Sequence, residues 1–292
     1  MSNFFESLQK AELIAPDELA FPLLNSTPWP VPSAAETEST EDFCLPGAPV
    51  TAFRTAKLRL SAASPVFPFE ADNAAADQYR MIRTKILHHH LKPRAIVVSS
   101  GGPGDGKTIT SINIASSFAL KQDLRIALID GDMRRPQIAA TLGLSDTPGL
   151  SDVLSGQVSF EDAAVCPEEA PNLCILPAGT HGSTHAELLE SERWHTLVEK
   201  LRRTFDYIVF DAPPIATLAD YELLQLAADG VVVVARPDHS ERKSCLKAIE
   251  AVPKEKLMGV VLNCVEDWLF WRKTAYGYYS RPQQSSNRRL KA

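Results

Sequence analysis

The sequence has no apolar run long enough to cross a bilayer. Its uninterrupted aliphatic stretches, such as Ile126–Ile129 and Val231–Val234, have the length of a buried strand. Phe4, Phe5 and Glu6 stand where a secretory leader would place a basic patch and an apolar block, so export is not expected. Cysteine is sparse. Cys44, Cys166, Cys174, Cys245 and Cys264 are scattered without a CxxC pair, which removes the usual zinc spacing. An odd count with no leader points to reduced thiols in a cytoplasmic protein, each acting as a small buried hydrophobe. There is no excess of positive charge either. The formal net charge of −6 argues against a nucleic-acid partner, which would call for a basic face.

What charge there is lies unevenly. Residues 1–50 carry Glu6, Glu12, Asp17, Glu18, Glu36, Glu38, Glu41 and Asp42 against Lys10. From Trp271 onward, Arg272, Lys273, Arg281, Arg288, Arg289 and Lys291 meet no acid. A basic tail of this kind suits an anionic membrane surface or an acidic partner, and equally a solvated end. Three regions follow. Residues 1–70 are rich in proline, which fixes φ and removes a donor, so they are expected to be largely disordered. One exception is Asn3–Leu13, where Phe4, Leu8 and Ala11 share a helical face. Residues 71–270 alternate helical spacing with short, continuous apolar runs, the pattern of strands covered on both faces. They predict an α/β domain with a doubly wound, mostly parallel sheet. Residues 271–292 form the basic, tyrosine-containing tail.

The sharpest signal is Gly101-Gly102-Pro103-Gly104-Asp105-Gly106-Lys107-Thr108, with Ile109 next. A strand reading Ile96-Val97-Val98 leads in, and a helix from about Thr108 to Leu120 leads out. Glycines let backbone N–H groups converge on phosphate oxygens, and a helix N-terminus adds partial positive charge. In such a P-loop, Lys107 reaches the β- and γ-phosphates and Thr108 ligates Mg²⁺. Two predicted strands end in carboxylates: Asp130, followed by Asp132, and Asp211. Ligands of open parallel sheets sit at the carboxyl ends of strands, so Asp130 and Asp211 are placed to hold Mg²⁺ directly or through water.

Together, Gly102–Thr108, Asp130-x-Asp132-x-Arg134-Arg135-Pro136 and Phe205–Pro214 resemble the Walker A, A′ and B motifs of the bacterial tyrosine kinases of capsule and exopolysaccharide synthesis. The resemblance runs from about Asp77 to Asn263. It includes Gly149–Leu154, Leu176–Gly179 and Glu187–Leu189. The fold it implies is a P-loop NTPase of the MinD/ParA-like branch. Partitioning and division-site ATPases of that branch usually have lysine where this chain has Gly102, which favours the kinases.

The resemblance implies ATP and Mg²⁺ as cofactors and Lys107, Asp130, Asp132 and Asp211 as catalytic residues. Asp132 is the candidate to orient or deprotonate a tyrosine hydroxyl, and Asn263 a candidate to hydrogen-bond adenine. Asp77-x-x-Arg80-x-x-Arg83 resembles the family's oligomerisation motif, with Asp77 where Glu is usual. Its apolar opposite face, Tyr79, Ile82 and Ile86, is expected on the core, leaving the charged side for a neighbour. Tyr276, Tyr278 and Tyr279 are the expected autophosphorylation sites, in a tail where the family carries a denser cluster. The implied function is an MgATP-dependent tyrosine autokinase controlling polysaccharide synthesis or export. It is expected to be cytoplasmic, to self-associate, and to reach the inner face of the membrane through a transmembrane co-polymerase-like activator. The alternatives are an ATP-switched regulatory ATPase and an ATP-binding scaffold. Elsewhere, His88-His89-His90 reads as a solvated helix end rather than a metal site, because consecutive residues diverge on a helix. Trp268 and Trp271 read as packing for a last helix rather than a membrane anchor, and His181 and His185 as loop histidines that could contact substrate.

Overall fold

A computed structural model describes residues 53–60, 74–144, 148–179, 185–215, 219–237 and 239–265. The short helix expected at Asn3–Leu13, Trp268, Trp271, His181 and the three tail tyrosines lie outside these residues.

The strands are β1 (Arg54–Ala56), β2 (Ala95–Ser100), β3 (Ile126–Asp130), β4 (Val165–Pro167), β5 (Leu173–Leu176), β6 (Tyr207–Asp211), β7 (Gly230–Ala235) and β8 (Leu257–Leu262). They form one sheet in the order β1-β4-β5-β3-β6-β2-β7-β8, parallel except between β4 and β5. The helices are α1 (Ala74–Leu87), α2 (Lys107–Ala119), α3 (Ile138–Leu142), α4 (Leu150–Leu154), α5 (Phe160–Ala163), α6 (His185–Glu190), α7 (Glu192–Thr204), α8 (Ala219–Leu226) and α9 (Arg242–Ala251).

The central strands are continuous apolar runs because both faces are covered. Val97, Ile129, Phe210, Val231 and Val233 point into one cluster, with Leu150, Phe160, Trp194, Leu197 and Leu224 from the helices. Their alternate neighbours Ile96, Val98, Leu128, Val209, Val232 and Val234 point into the other, with Ile86, Ile112, Phe118, Ile138 and Leu142. This is the period of two expected of a strand buried on both sides, and each such aliphatic or aromatic side chain contributes about 1.5–3 kcal/mol on burial. Tyr79, Ile82 and Ile86 of α1 face the second cluster, as their spacing predicts.

Several local readings change. The helix that carries Tyr79, Ile82 and Ile86 runs from Ala74 to Leu87. Pro93 disfavours helical geometry at Lys92, which instead takes a φ of 45°. The three histidines therefore occupy a turn, and the His89 and His90 rings lie 4.4 Å apart between centroids. Burial, then the neighbouring His90, lowers the His89 pKa. Helices α6 and α7 are separate because the Ser191 hydroxyl accepts from the Trp194 N–H and caps a new start. His185 is buried within α6 rather than in a loop. Residues 53–60 fall inside the stretch expected to lack regular structure, yet Arg54–Ala56 pair with Val165–Pro167.

Candidate active site

The strand order reverses around β2. The chain leaves β2 for β3 on one side, β6 fills the gap between them, and β7 and β8 extend the other side. A crevice at the carboxyl ends of the strands is the usual ligand position at such a switch point. The loop from Gly101 opens there. Gly104 and Gly106 have φ of 84° and 90°, which favour glycine, and a Cβ at Gly104 would come within 2.7 Å of His239. At Gly106 it would collide with the Asn263 amide. Gly106 is also the residue before α2, so the loop ends at the N-terminus of a 13-residue helix. Converging N–H groups at a helix start form a concavity suited to phosphate.

Lys107, Thr108, Asp130, Asp132 and Asp211 come together at this mouth. Asp130 and Asp211 are opposite one another in the β3–β6 register. Lys107 Nζ lies 2.7 Å from Asp132 Oδ2 and 3.9 Å from Asp211 Oδ1. The Thr108 hydroxyl donates to Asp211 Oδ2 at 2.6 Å, and the Ser111 hydroxyl to Oδ1 at 3.1 Å. Asp130 accepts backbone N–H groups from Asp132, Gln137 and Ile138 at 3.1–3.3 Å. Burial, then the Asp211 charge, pushes the Asp130 pKa up to about 8. Burial also raises Asp211, against Lys107 and the Thr108 hydroxyl. Burial pulls the Lys107 ammonium down, but the carboxylates of Asp211 and Asp132 outweigh it, so its pKa is raised. Three carboxylates around one ammonium leave the site short of positive charge. Hard oxygen donors with that shortage suit a hydrated divalent cation such as Mg²⁺.

Asp105 faces away from this cluster. Its buried carboxylate accepts the Gly102 N–H at 3.2 Å and the Ser240 hydroxyl at 2.6 Å. Asn263 donates to the Asp105 carbonyl at 3.0 Å, and a His239 ring nitrogen lies 3.3 Å from the Pro103 carbonyl. Ser240 and Asn263 thus brace the loop at Asp105 from beyond the ends of β7 and β8. Ser111 and Ser240 escape notice in the sequence. Ser111 follows Thr108 by three positions and so shares its helix face, a legible sign. Ser240 lies 135 residues from Asp105 and offers none. Arg134 donates through Nε to Asp220 Oδ2 at 2.7 Å, pairing a half-exposed guanidinium with a buried carboxylate of α8.

The charged side of α1 is less open than its spacing implies. Arg80 pairs with Asp77 at 2.6 Å on its own helix. Arg83 donates to the Ser117 carbonyl at 2.6 Å, closing the C-terminal turn of α2. Arg83 thus lies within reach of a last-turn carbonyl of its own chain and is bound there.

A family model described as an AAA domain matches residues 93–256. The tyrosine-protein kinase YwqD of Bacillus subtilis (strain 168) is 34% identical over 214 residues, which cover 72% of this chain and 88% of that protein. The chain belongs to the bacterial tyrosine-protein kinase family. Solved structures agree in fold. The VpsO kinase domain shares 31% identity at a TM-score of 0.59, over 66% of this chain and 97% of that one. The chimerical protein CapA2B2 shares 26% identity at a TM-score of 0.65, over 71% and 93%. The residues that carry the family resemblance in the sequence, Lys107, Thr108, Asp130, Asp132 and Asp211, are those brought to one mouth of the sheet.

Proposed function

We propose that this chain is an MgATP-dependent protein-tyrosine kinase that phosphorylates its own tail in the course of polysaccharide synthesis or export. The observation that carries the reading is Lys107 held between Asp132 and Asp211 while Thr108 binds Asp211, at the end of a P-loop. The P-loop N–H groups and Lys107 bind the triphosphate and offset the charge that spreads over the γ-phosphoryl oxygens. Thr108 and Asp211, with Asp130 behind them, would hold Mg²⁺, which would supply positive charge against the phosphates. Asp132 orients the incoming tyrosine and accepts its hydroxyl proton. The tyrosine oxygen forms the new P–O bond, the γ-phosphorus bond to the bridging oxygen breaks, and ADP leaves. Asn263, which donates to the Asp105 carbonyl of the loop, is assigned to adenine.

Tyr276, Tyr278 and Tyr279 are the proposed acceptors, reached in a neighbouring copy through self-association. A transmembrane co-polymerase-like activator brings the chain to the inner face of the membrane. Among the described residues, no helix is long and apolar enough to cross a membrane, so attachment is assigned to that partner. Incubation with γ-labelled MgATP and the activator, followed by phosphoamino-acid analysis, tests the proposal. Phosphotyrosine is expected in the wild type and absent in Lys107→Met. Hydrolysis of ATP with no label on tyrosine would instead support the ATP-switched regulator.

A further inference from the structure

Antiparallel strands β4 and β5 are joined by a short turn and pair at Val165 and Ile175. One step along this register sets Cys166 directly opposite Cys174. Both side chains enter the same hydrophobic cluster, so both lie on the same face of the sheet, whereas Val165 and Ile175 enter the other. The pairing therefore sets the two thiols side by side on one face. Directly opposed residues of an antiparallel pair have Cα atoms about 4.5–5.5 Å apart, within the range a disulfide spans without moving the backbone. The other cysteines described, Cys245 and Cys264, have no such counterpart among the described residues.

We propose that Cys166 and Cys174 form an oxidisable dithiol that closes to an intrachain disulfide when a peroxide is present. The contact favours Cys166 as the attacking sulfur. The Cys174 hydrogen bond lowers its pKa against the effect of burial, while burial raises that of Cys174. The Cys166 thiolate attacks one peroxide oxygen, the O–O bond breaks, and the departing hydroxide is protonated to water. Cys174 then attacks the resulting sulfenic acid, the S–O bond breaks, and a second water leaves. Two thiols and one hydrogen peroxide thus give one disulfide and two waters. Both thiols are buried, so the reagent enters through local opening. β4 has three residues and its outer neighbour β1 also three, so this margin of the sheet opens at lower cost than the centre.

The test uses the full chain, treated with hydrogen peroxide under native conditions and then alkylated in denaturant. No Lys or Arg lies between Pro136 and Glu192, so one tryptic fragment carries both cysteines. The expected product is that fragment two mass units lighter and alkylated at neither cysteine. The oxidised chain should melt about 5 °C higher, because the bridge restricts the unfolded chain. Cys174→Ser should abolish both effects, and Cys166→Ser serves if the first variant does not fold. Full alkylation of Cys166 and Cys174 in chains whose exposed Cys264 has been oxidised would overturn the proposal. So would a bridge that forms only after denaturation, or one that joins either cysteine to Cys264.

Discussion

Asp105 shows how a single side chain in a phosphate loop can serve the loop rather than the ligand. Its carboxylate, almost wholly buried, ties Gly102 to Ser240 and so fixes the curve through Gly104. Losing a hydrogen-bonded buried partner costs about 1–3 kcal/mol. Asp105→Ala and Ser240→Ala are therefore each expected to weaken nucleotide binding about tenfold or more, measured by calorimetric titration with MgADP, while circular dichroism stays unchanged. Asp130 makes a different statement, through pH. Its folded pKa is raised from 3.8 to about 8, so between those values the folded chain holds protons that the unfolded chain has released. This contribution to stability is fully present below pH 3.8 and is lost as pH rises through about 8. The melting temperature of the nucleotide-free protein should fall from mildly acidic to mildly basic pH, and Asp130→Asn should flatten that slope. An unchanged slope in the variant would assign it to other groups.

At the scale of elements, the amino ends of the strands are fastened by Asp229. Its carboxylate accepts the N–H groups of Arg94 and Ala95 at 2.9 and 2.8 Å and the Arg202 guanidinium at 2.8 Å. Arg94 in turn caps the carbonyls of Arg202 and Phe205 at the end of α7. The start of β2, the end of α7 and the segment before β7 thus share one clamp. Asp229→Ala should cost about 1–3 kcal/mol in urea denaturation, yet leave nucleotide affinity near wild type, since the clamp lies at the sheet end opposite the P-loop. Nothing in the sequence joins Arg94, Arg202 and Asp229, because the contact spans more than 100 residues. The central strands were legible for the opposite reason: burial on both faces writes itself as an unbroken aliphatic run. Short elements at the margin, β1, β4 and α3 to α5, carry too few residues for either periodicity to register. The site divides in the same way. Lys107, Thr108, Asp130 and Asp211 sit at fixed places relative to their strands and helix and could be read, while Ser240 and the inward turn of Asp105 depend on tertiary approach.

The whole molecule is expected to act as an assembly, and α1 shows which residues can take part. Asp77, Arg80, Met81 and Thr84 recur at helical spacing and so share the face opposite Tyr79, Ile82 and Ile86. Met81 is half exposed at 51%, an apolar centre flanked by the Asp77–Arg80 pair. That pair is half-buried and on one helix, and such a pair contributes only a few tenths of a kcal/mol to the monomer. Its charged groups reach the surface, where a second copy can meet them. Arg83 cannot, because leaving Ser117 would strand a carbonyl of α2. The single substitutions should therefore separate. Arg80→Ala and Met81→Ser are expected to leave the melting temperature nearly unchanged and to lower oligomer mass and trans-phosphorylation together. Arg83→Ala should lower the melting temperature by several degrees, equivalent to about 1–3 kcal/mol, so that any loss of assembly follows from the fold. Light scattering at several protein concentrations, with MgATP and the membrane activator present, reads the mass directly. Arg80→Ala and Met81→Ser chains that assemble like the wild type would remove this face from the interface and leave Asp77 and Arg80 as a solvated pair.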